Sequence, residues 1–156
     1  MTSDLPRLSL VPGIHRATHR IGLWLDAAQP PLGVTQGEAH LLAHLFEAGP
    51  SSVAELHQAF AHKRSSLTTY LDRLEESGHI LRLPHPQDRR SFLVSLTAKG
   101  SALSRRVQQR LLQLEASALR GLGRGEVSAL HAALTALLAA SERLPVVSSP
   151  RRRGPK

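Results

Sequence analysis

The stretch from Ser52 to Lys99 constrains this chain more than any other, because its apolar spacing changes from helical to strand-like and back to helical. In VAELHQAF the apolar residues Val53, Leu56 and Phe60 stand three and four apart, which is helical spacing. After a break at Ala61–Arg64, Ser65 and Ser66 offer a hydroxyl N-cap for a second helix that ends at Gly78. That helix carries Leu67, Leu71 and Leu74 within about 60° of one another and turns Ser65, Thr69, Asp72 and Arg73 to the other side. Small hydroxyls with one arginine suit a helix that lies against base edges in a major groove. A solvated surface helix is the plainer reading of the same residues.

The next residues favour the groove. Ile80–Leu83 and Phe92–Leu96 are short β-prone runs, the second with Phe92, Val94 and Leu96 at alternate positions. Between them Pro84 and Pro86 force a loop, with Asp88, Arg89 and Arg90 at or near its tip. Two helices followed by a hairpin with a basic tip form a winged helix, whose wing arginine enters a minor groove of negative potential. Lys63, Arg64 and Arg82 are then the phosphate anchors, and Ser65, Ser66, Thr68, Thr69 and Arg73 face the major groove. The adjacent Arg89 and Arg90 can then place an arginine in the minor groove. The alternative is a plain surface hairpin with a solvated charge pair.

These residues resemble the MarR family of winged-helix transcriptional regulators. The likeness rests on Leu71-Asp72-Arg73-Leu74-Glu75, Gly78, Asp88-Arg89-Arg90 and Val94-Ser95-Leu96-Thr97 leading into a long helix, and covers roughly residues 10 to 142. It implies that Arg90 is the minor-groove arginine and that Asp88 braces the wing against the helix-turn-helix. It also implies a small, often phenolic or otherwise lipophilic effector bound between the helix-turn-helix and the dimer helices. Trp24, His15, His40 and His44 are the candidates for lining that pocket. Thr69 stands where many members carry arginine, so the resemblance leaves the operator sequence open.

At 156 residues the chain has one domain's worth of sequence, enough to bury a core without staples. It has no cysteine, which excludes disulfides, cysteine-based zinc sites and the thiol-sensing branch of the resembling family. No apolar run approaches the roughly 18 residues of a membrane span, and the N-terminus lacks the apolar core of a signal peptide. A cytoplasmic protein with no membrane partner is expected. The net charge of +8 favours a polyanion, but Arg151, Arg152, Arg153 and Lys156 crowd the C-terminus. Residues 62–91 hold six Arg/Lys against four acids, so the pattern, not the raw charge, singles them out.

Along the chain, residues 1–9 read as a flexible arm. A helix from Leu10 to Ala28 places Ile14, Ala17, Ile21, Trp24 and Ala28 on one stripe. Thr35 caps a second helix to Ala48, with Leu41, Leu42, Leu45 and Phe46 inward and Gly49-Pro50 ending it. Ser51 or Ser52 caps the next. Thr97 caps a long helix from Ala98 to about Leu122, with Leu103, Val107, Leu111, Leu114 and Ala118 in phase. After the Gly121-Gly123-Gly125 break, a last helix to Ser141 carries Val127, Leu130, Leu134, Leu137 and Leu138.

The terminal helices have more apolar surface than one small domain covers, which predicts a homodimer; an internal bundle in a monomer is the alternative. The expected class is mainly α with a small β-hairpin wing, a winged helix-turn-helix plus N- and C-terminal dimerisation helices. The expected domain spans 10–145, with the winged helix-turn-helix about 34–97 and dimerisation helices about 10–28 and 98–142. Residues 146–156 read as a disordered basic tail.

Two of the nine histidines' pairings, His15 with His19 and His40 with His44, stand at i, i+4 and so share a helix face. Such pairs can chelate Zn²⁺, with His131 joining from the dimer side, but no HExxH carboxylate accompanies them. Polar residues flanking an apolar stripe explain each pair without metal, and no cofactor is assigned. No phosphate loop, nucleophile elbow or metal-hydrolase motif is present, so an enzyme is not expected. The reading is a dimeric, ligand-responsive repressor on a pseudo-palindromic operator in double-stranded DNA. A sequence-tolerant architectural DNA-binding protein and a winged-helix interaction module are the alternatives.

Overall fold

Caps and glycines set the boundaries of the elements. The structure, a computed structural model, describes residues 10–60, 64–88 and 91–143, with only the backbone of Arg64. The expected arm (1–9), the basic tail (146–156), Lys63, Arg89 and Arg90 lie outside the described residues. The chain divides into two compact units, residues 1–114 and 115–156.

In the first unit α1 (Leu10–Asp26) precedes α2 (Gln36–Ala48), β1 (Ser51–Ser52), α3 (Val53–Phe60), α4 (Arg64–Glu76), β2 (Ile80–Pro84), β3 (Phe92–Leu96) and most of α5 (Ala98–Ala118). Thr35 caps α2 through a capping box: Glu38 N donates to Thr35 Oγ1 at 3.4 Å, and Thr35 N donates to Glu38 Oε2 at 2.8 Å. Ser52 makes the same reciprocal pair with Glu55, at 3.2 and 2.6 Å. At the end of α4, Gly78 takes φ +73°, and His79 N donates back to Leu74 O.

Four expectations are corrected. Helix α4 begins at Arg64, so Ser65 and Ser66 lie inside its first turn instead of capping it. Phe46, expected inward, is 38 % exposed, because it falls a residue beyond the face that buries Leu41, Leu42 and Leu45. Ala17 is exposed, and α5 stops at Ala118, ahead of the positive-φ Gly121. Ser51–Ser52 form a strand that two-residue patterning could not announce, giving a three-stranded antiparallel sheet of order β1-β3-β2. Its register pairs Ser51 with Val94, Arg82 with Val94 and Pro84 with Phe92.

The core lies where α2, α3, α4 and the sheet converge: Leu41, Leu42, Leu56, Leu67, Leu71, Leu74, Ile80 and Val94 are all buried. Burying each such side chain contributes roughly 1.5–3 kcal/mol, and the three leucines of α4 thereby fix which of its faces stays in solvent. Leu103 and Val107 of α5 join the same core. In the second unit α6 (Arg124–Arg143) has no buried residue; Leu130, Leu134 and Leu138 are exposed, and Val127 and Leu137 are half-buried. No helix among the described residues is long and apolar enough to cross a membrane.

Candidate nucleic-acid interface

Helix α4 turns Ser65, Thr68, Thr69, Asp72 and Arg73 to solvent, whereas Ser66 is half-buried. At 1.5 Å per residue its 13 residues reach about 20 Å, a length that a major groove about 12 Å wide accommodates. Thr69 Oγ1 donates to Ser65 O at 2.9 Å, which leaves its methyl group and oxygen lone pairs to the outside. Arg73 is 61 % exposed; its Nη1 stands 3.8 Å from Glu38 Oε1, too long for a direct hydrogen bond. The helix is held close to α2, since a Cβ at Gly37 would meet the Tyr70 ring at 2.6 Å.

Arg82 is the site residue whose placement differs from expectation. Its Nη1 donates to Glu75 Oε2 and its Nη2 to Asp72 Oδ1, both at 2.6 Å. A guanidinium engaged by two carboxylates is a poor phosphate anchor. It joins β2 to α4 instead, and periodicity alone misses this because the contact forms only once the chain reverses at Gly78. Asp72, expected on the base-facing side, is partly neutralised by the same contact.

The hairpin wing has a second feature that sequence reading missed. His85 Nδ1 accepts the backbone N–H groups of Gln87 and Asp88, each at 3.2 Å, and His85 N donates to Ser91 O at 3.1 Å. Asp88 contributes its carbonyl, which accepts from Ser91 N at 3.0 Å. An imidazole in the role that Asn or Asp ordinarily takes in a turn is the signal that was available. It fixes the backbone immediately before Arg89 and Arg90.

The effector-pocket candidates stand in different settings. His15 is exposed, as is His19; Trp24 stacks under Arg110, whose Cζ is 3.9 Å from the ring centroid; and His40 is half-buried on α2. His44 packs edge-on against Phe60 and lines a small cleft with Pro50, Glu55 and Gln58. Among the described residues no three His, Asp or Glu side chains converge as a metal site. A cavity of about 480 Å³ opens elsewhere, between the α1–α2 connection, the start of α2 and the end of α4.

A helix-turn-helix with an exposed, hydroxyl-rich second helix and a braced hairpin beside it defines a winged-helix DNA-binding protein. Comparison with known proteins bears this out. A profile of the MarR family matches residues 34–92. The chain is 31 % identical over 140 residues to the multiple antibiotic resistance protein MarR of Escherichia coli, covering 88 % of this chain and 97 % of that one. It is 30 % identical to the HTH-type transcriptional regulator PecS of Dickeya dadantii, over 84 % of this chain and 81 % of that protein. A crystal structure of an E. coli MarR mutant complexed with operator DNA superposes with a TM-score of 0.67 at 29 % identity, covering 81 % of this chain and 91 % of that one. The chain belongs to the MarR family, and by that membership it is a DNA-binding transcriptional regulator.

Proposed function

We propose that this protein is a cytoplasmic, ligand-responsive repressor, without catalytic activity, that binds a pseudo-palindromic operator as a homodimer. The observation that carries the reading is the exposed face of α4 beside a hairpin that His85 braces at Gln87 and Asp88. Ser65, Thr68, Thr69 and Arg73 read the major groove, with Ser66 at its margin. Lys63 and Arg64 contact phosphates, Arg90 with Arg89 enters the minor groove, and Asp88 braces the wing. Residues 10–145 act as one functional domain, with α1, α5 and α6 supplying the dimer contacts.

The test is selection of genomic fragments by purified protein at about 150 mM salt, because phosphate contacts make affinity steeply salt-dependent. A palindrome with half-sites about 10 to 10.5 bp apart supports the reading. Diffuse recovery replaces it with a sequence-tolerant architectural protein. No recovery, with or without small molecules, replaces it with an interaction module.

A further inference from the structure

Ser65, Thr69 and Asp72 stand at i, i+4 and i+7 on α4 and form one exposed row, opposite the buried Leu67, Leu71 and Leu74. Asp72 is the acid of that row, and the fold holds it in one setting. Arg82 Nη2, arriving from β2, donates to Asp72 Oδ1 at 2.6 Å, while its Nη1 donates to Glu75 Oε2 at the same distance. Among the described residues only Oδ1 is engaged, and the side chain is 58 % exposed, so Oδ2 is presented to solvent. One guanidinium between two carboxylates leaves a negative charge in excess. On a face that meets a polyanion, such a carboxylate is repelled unless a hydrogen-bond donor meets it.

We infer that Asp72 is a specificity-determining residue that accepts from the N4 amino group of one cytosine in each half-site. The major-groove edges single out cytosine. Its edge presents a donor without an acceptor, whereas guanine presents two acceptors, thymine presents O4, and adenine sets N7 beside its amino group. A fixed carboxylate that faces an acceptor is desolvated without a partner, so Asp72 discriminates mainly by rejecting the other three bases. Ser65 and Thr69 carry hydroxyls, which both donate and accept and so distinguish base edges less sharply. The inference rests on α4 reading the major groove, as proposed above.

The experiment lets the full chain, as wild type, Asp72→Asn and Asp72→Ala, select duplexes from a random library at about 150 mM salt. The wild type is expected to recover a motif with cytosine at one position of each half-site, and changing that pair should weaken binding about 5- to 100-fold. Asp72→Asn keeps an oxygen for Arg82 and turns an N–H donor to the groove, so a base with an acceptor should replace cytosine there. Asp72→Ala should lose the preference at that position alone. Glu75 still holds Arg82 in both variants, so both are expected to fold. A purely structural Asp72 would lower affinity for every sequence alike, so an unchanged motif in both variants overturns the inference. A wild-type arm stands without the variants. N4-methylcytosine, whose methyl group replaces the N–H that points into the groove while pairing is kept, is placed at each motif cytosine in turn. A loss of about fivefold or more at one of them is expected; no loss at any overturns the inference and leaves the motif standing. A wild-type chain that recovers no motif overturns the major-groove reading, and this inference with it.

Discussion

An imidazole that accepts two backbone N–H groups shapes a turn, and His85 does so for Gln87 and Asp88. Replacing His85 with Ala leaves both donors to water and should loosen the wing, weakening operator binding by about 0.5–1.5 kcal/mol, the net worth of such hydrogen bonds. Asn places a carbonyl oxygen where the imidazole nitrogen stands, so His85→Asn should recover most of the loss. Anisotropy titrations of the two variants on one duplex check this, and equal loss in both would exclude the turn-forming role. Arg82 makes a companion test. If its contacts with Asp72 and Glu75 are its whole role, Arg82→Ala should lower unfolding free energy by about 1 kcal/mol, in keeping with partly exposed ion pairs. It should also leave the slope of log affinity against log salt unchanged. A slope shallower by about one would mean that a phosphate contact has been lost.

The junction between α4 and the sheet is an element-scale device. Thr97 Oγ1 donates to Gly78 O at 2.7 Å and accepts from Gly100 N at 3.0 Å, so one hydroxyl ties the end of α4 to the start of α5. A Cβ on Gly100 would lie 1.8 Å from His79 O, a backbone atom that cannot move alone. Gly100→Ala should therefore cost about 3 kcal/mol or more, at the upper end of overpacking effects, read as a lowered urea midpoint at constant m. The same junction responds to acid. Burial, then the nearby Lys99 charge, lowers the pKa of His79. The unfolded chain then binds the proton more readily than the folded one, so the stabilisation is complete above the ordinary histidine value and is lost as pH falls below it toward the folded value. Unfolding free energy should fall from pH 7 to pH 5, and His79→Gln should flatten that dependence.

Much of this element pattern was legible in the sequence. Leu67, Leu71 and Leu74 fixed the buried face of α4, because one-sided burial forces periodicity, and the β-prone run Phe92–Leu96 gave β3 to the residue. What escaped was set by contacts distant in sequence. Strand β1 exists only because β3 lies alongside it. Arg82 meets Asp72 and Glu75 only after the chain reverses at Gly78, and the Glu38–Arg73 cavity joins helices separated by α3.

For the whole molecule, charge and apolar surface occupy different places. Four of the six Arg/Lys of residues 62–91 stand toward its two ends in sequence, Lys63 and Arg64 at the entry to α4 and Arg89 and Arg90 between β2 and β3. With Arg82 held by acids, the phosphate contacts proposed above fall to those four residues, and one winged helix has few of them. Tight, specific binding then needs two copies acting together. The exposed leucines of α6, Leu130, Leu134 and Leu138, recur every four residues along one face and supply an apolar surface for pairing. Leu134→Glu puts a charge in the middle of that face. Sedimentation should show the wild-type chain as a dimer and the variant as a monomer, with the far-ultraviolet spectrum of the folded helices retained. Tethering two half-site readers raises affinity about 10²–10⁴-fold through effective concentration, so the monomer should lose that factor on the full palindrome and almost none on an isolated half-site. Inserting 5 bp between the half-sites turns one by about half a helical turn and should cost the dimer as much as the substitution does. If Leu134→Glu stays dimeric, α6 is not the pairing face. If the wild-type chain is a monomer that ignores the insertion, each winged helix binds alone and the palindrome has no role.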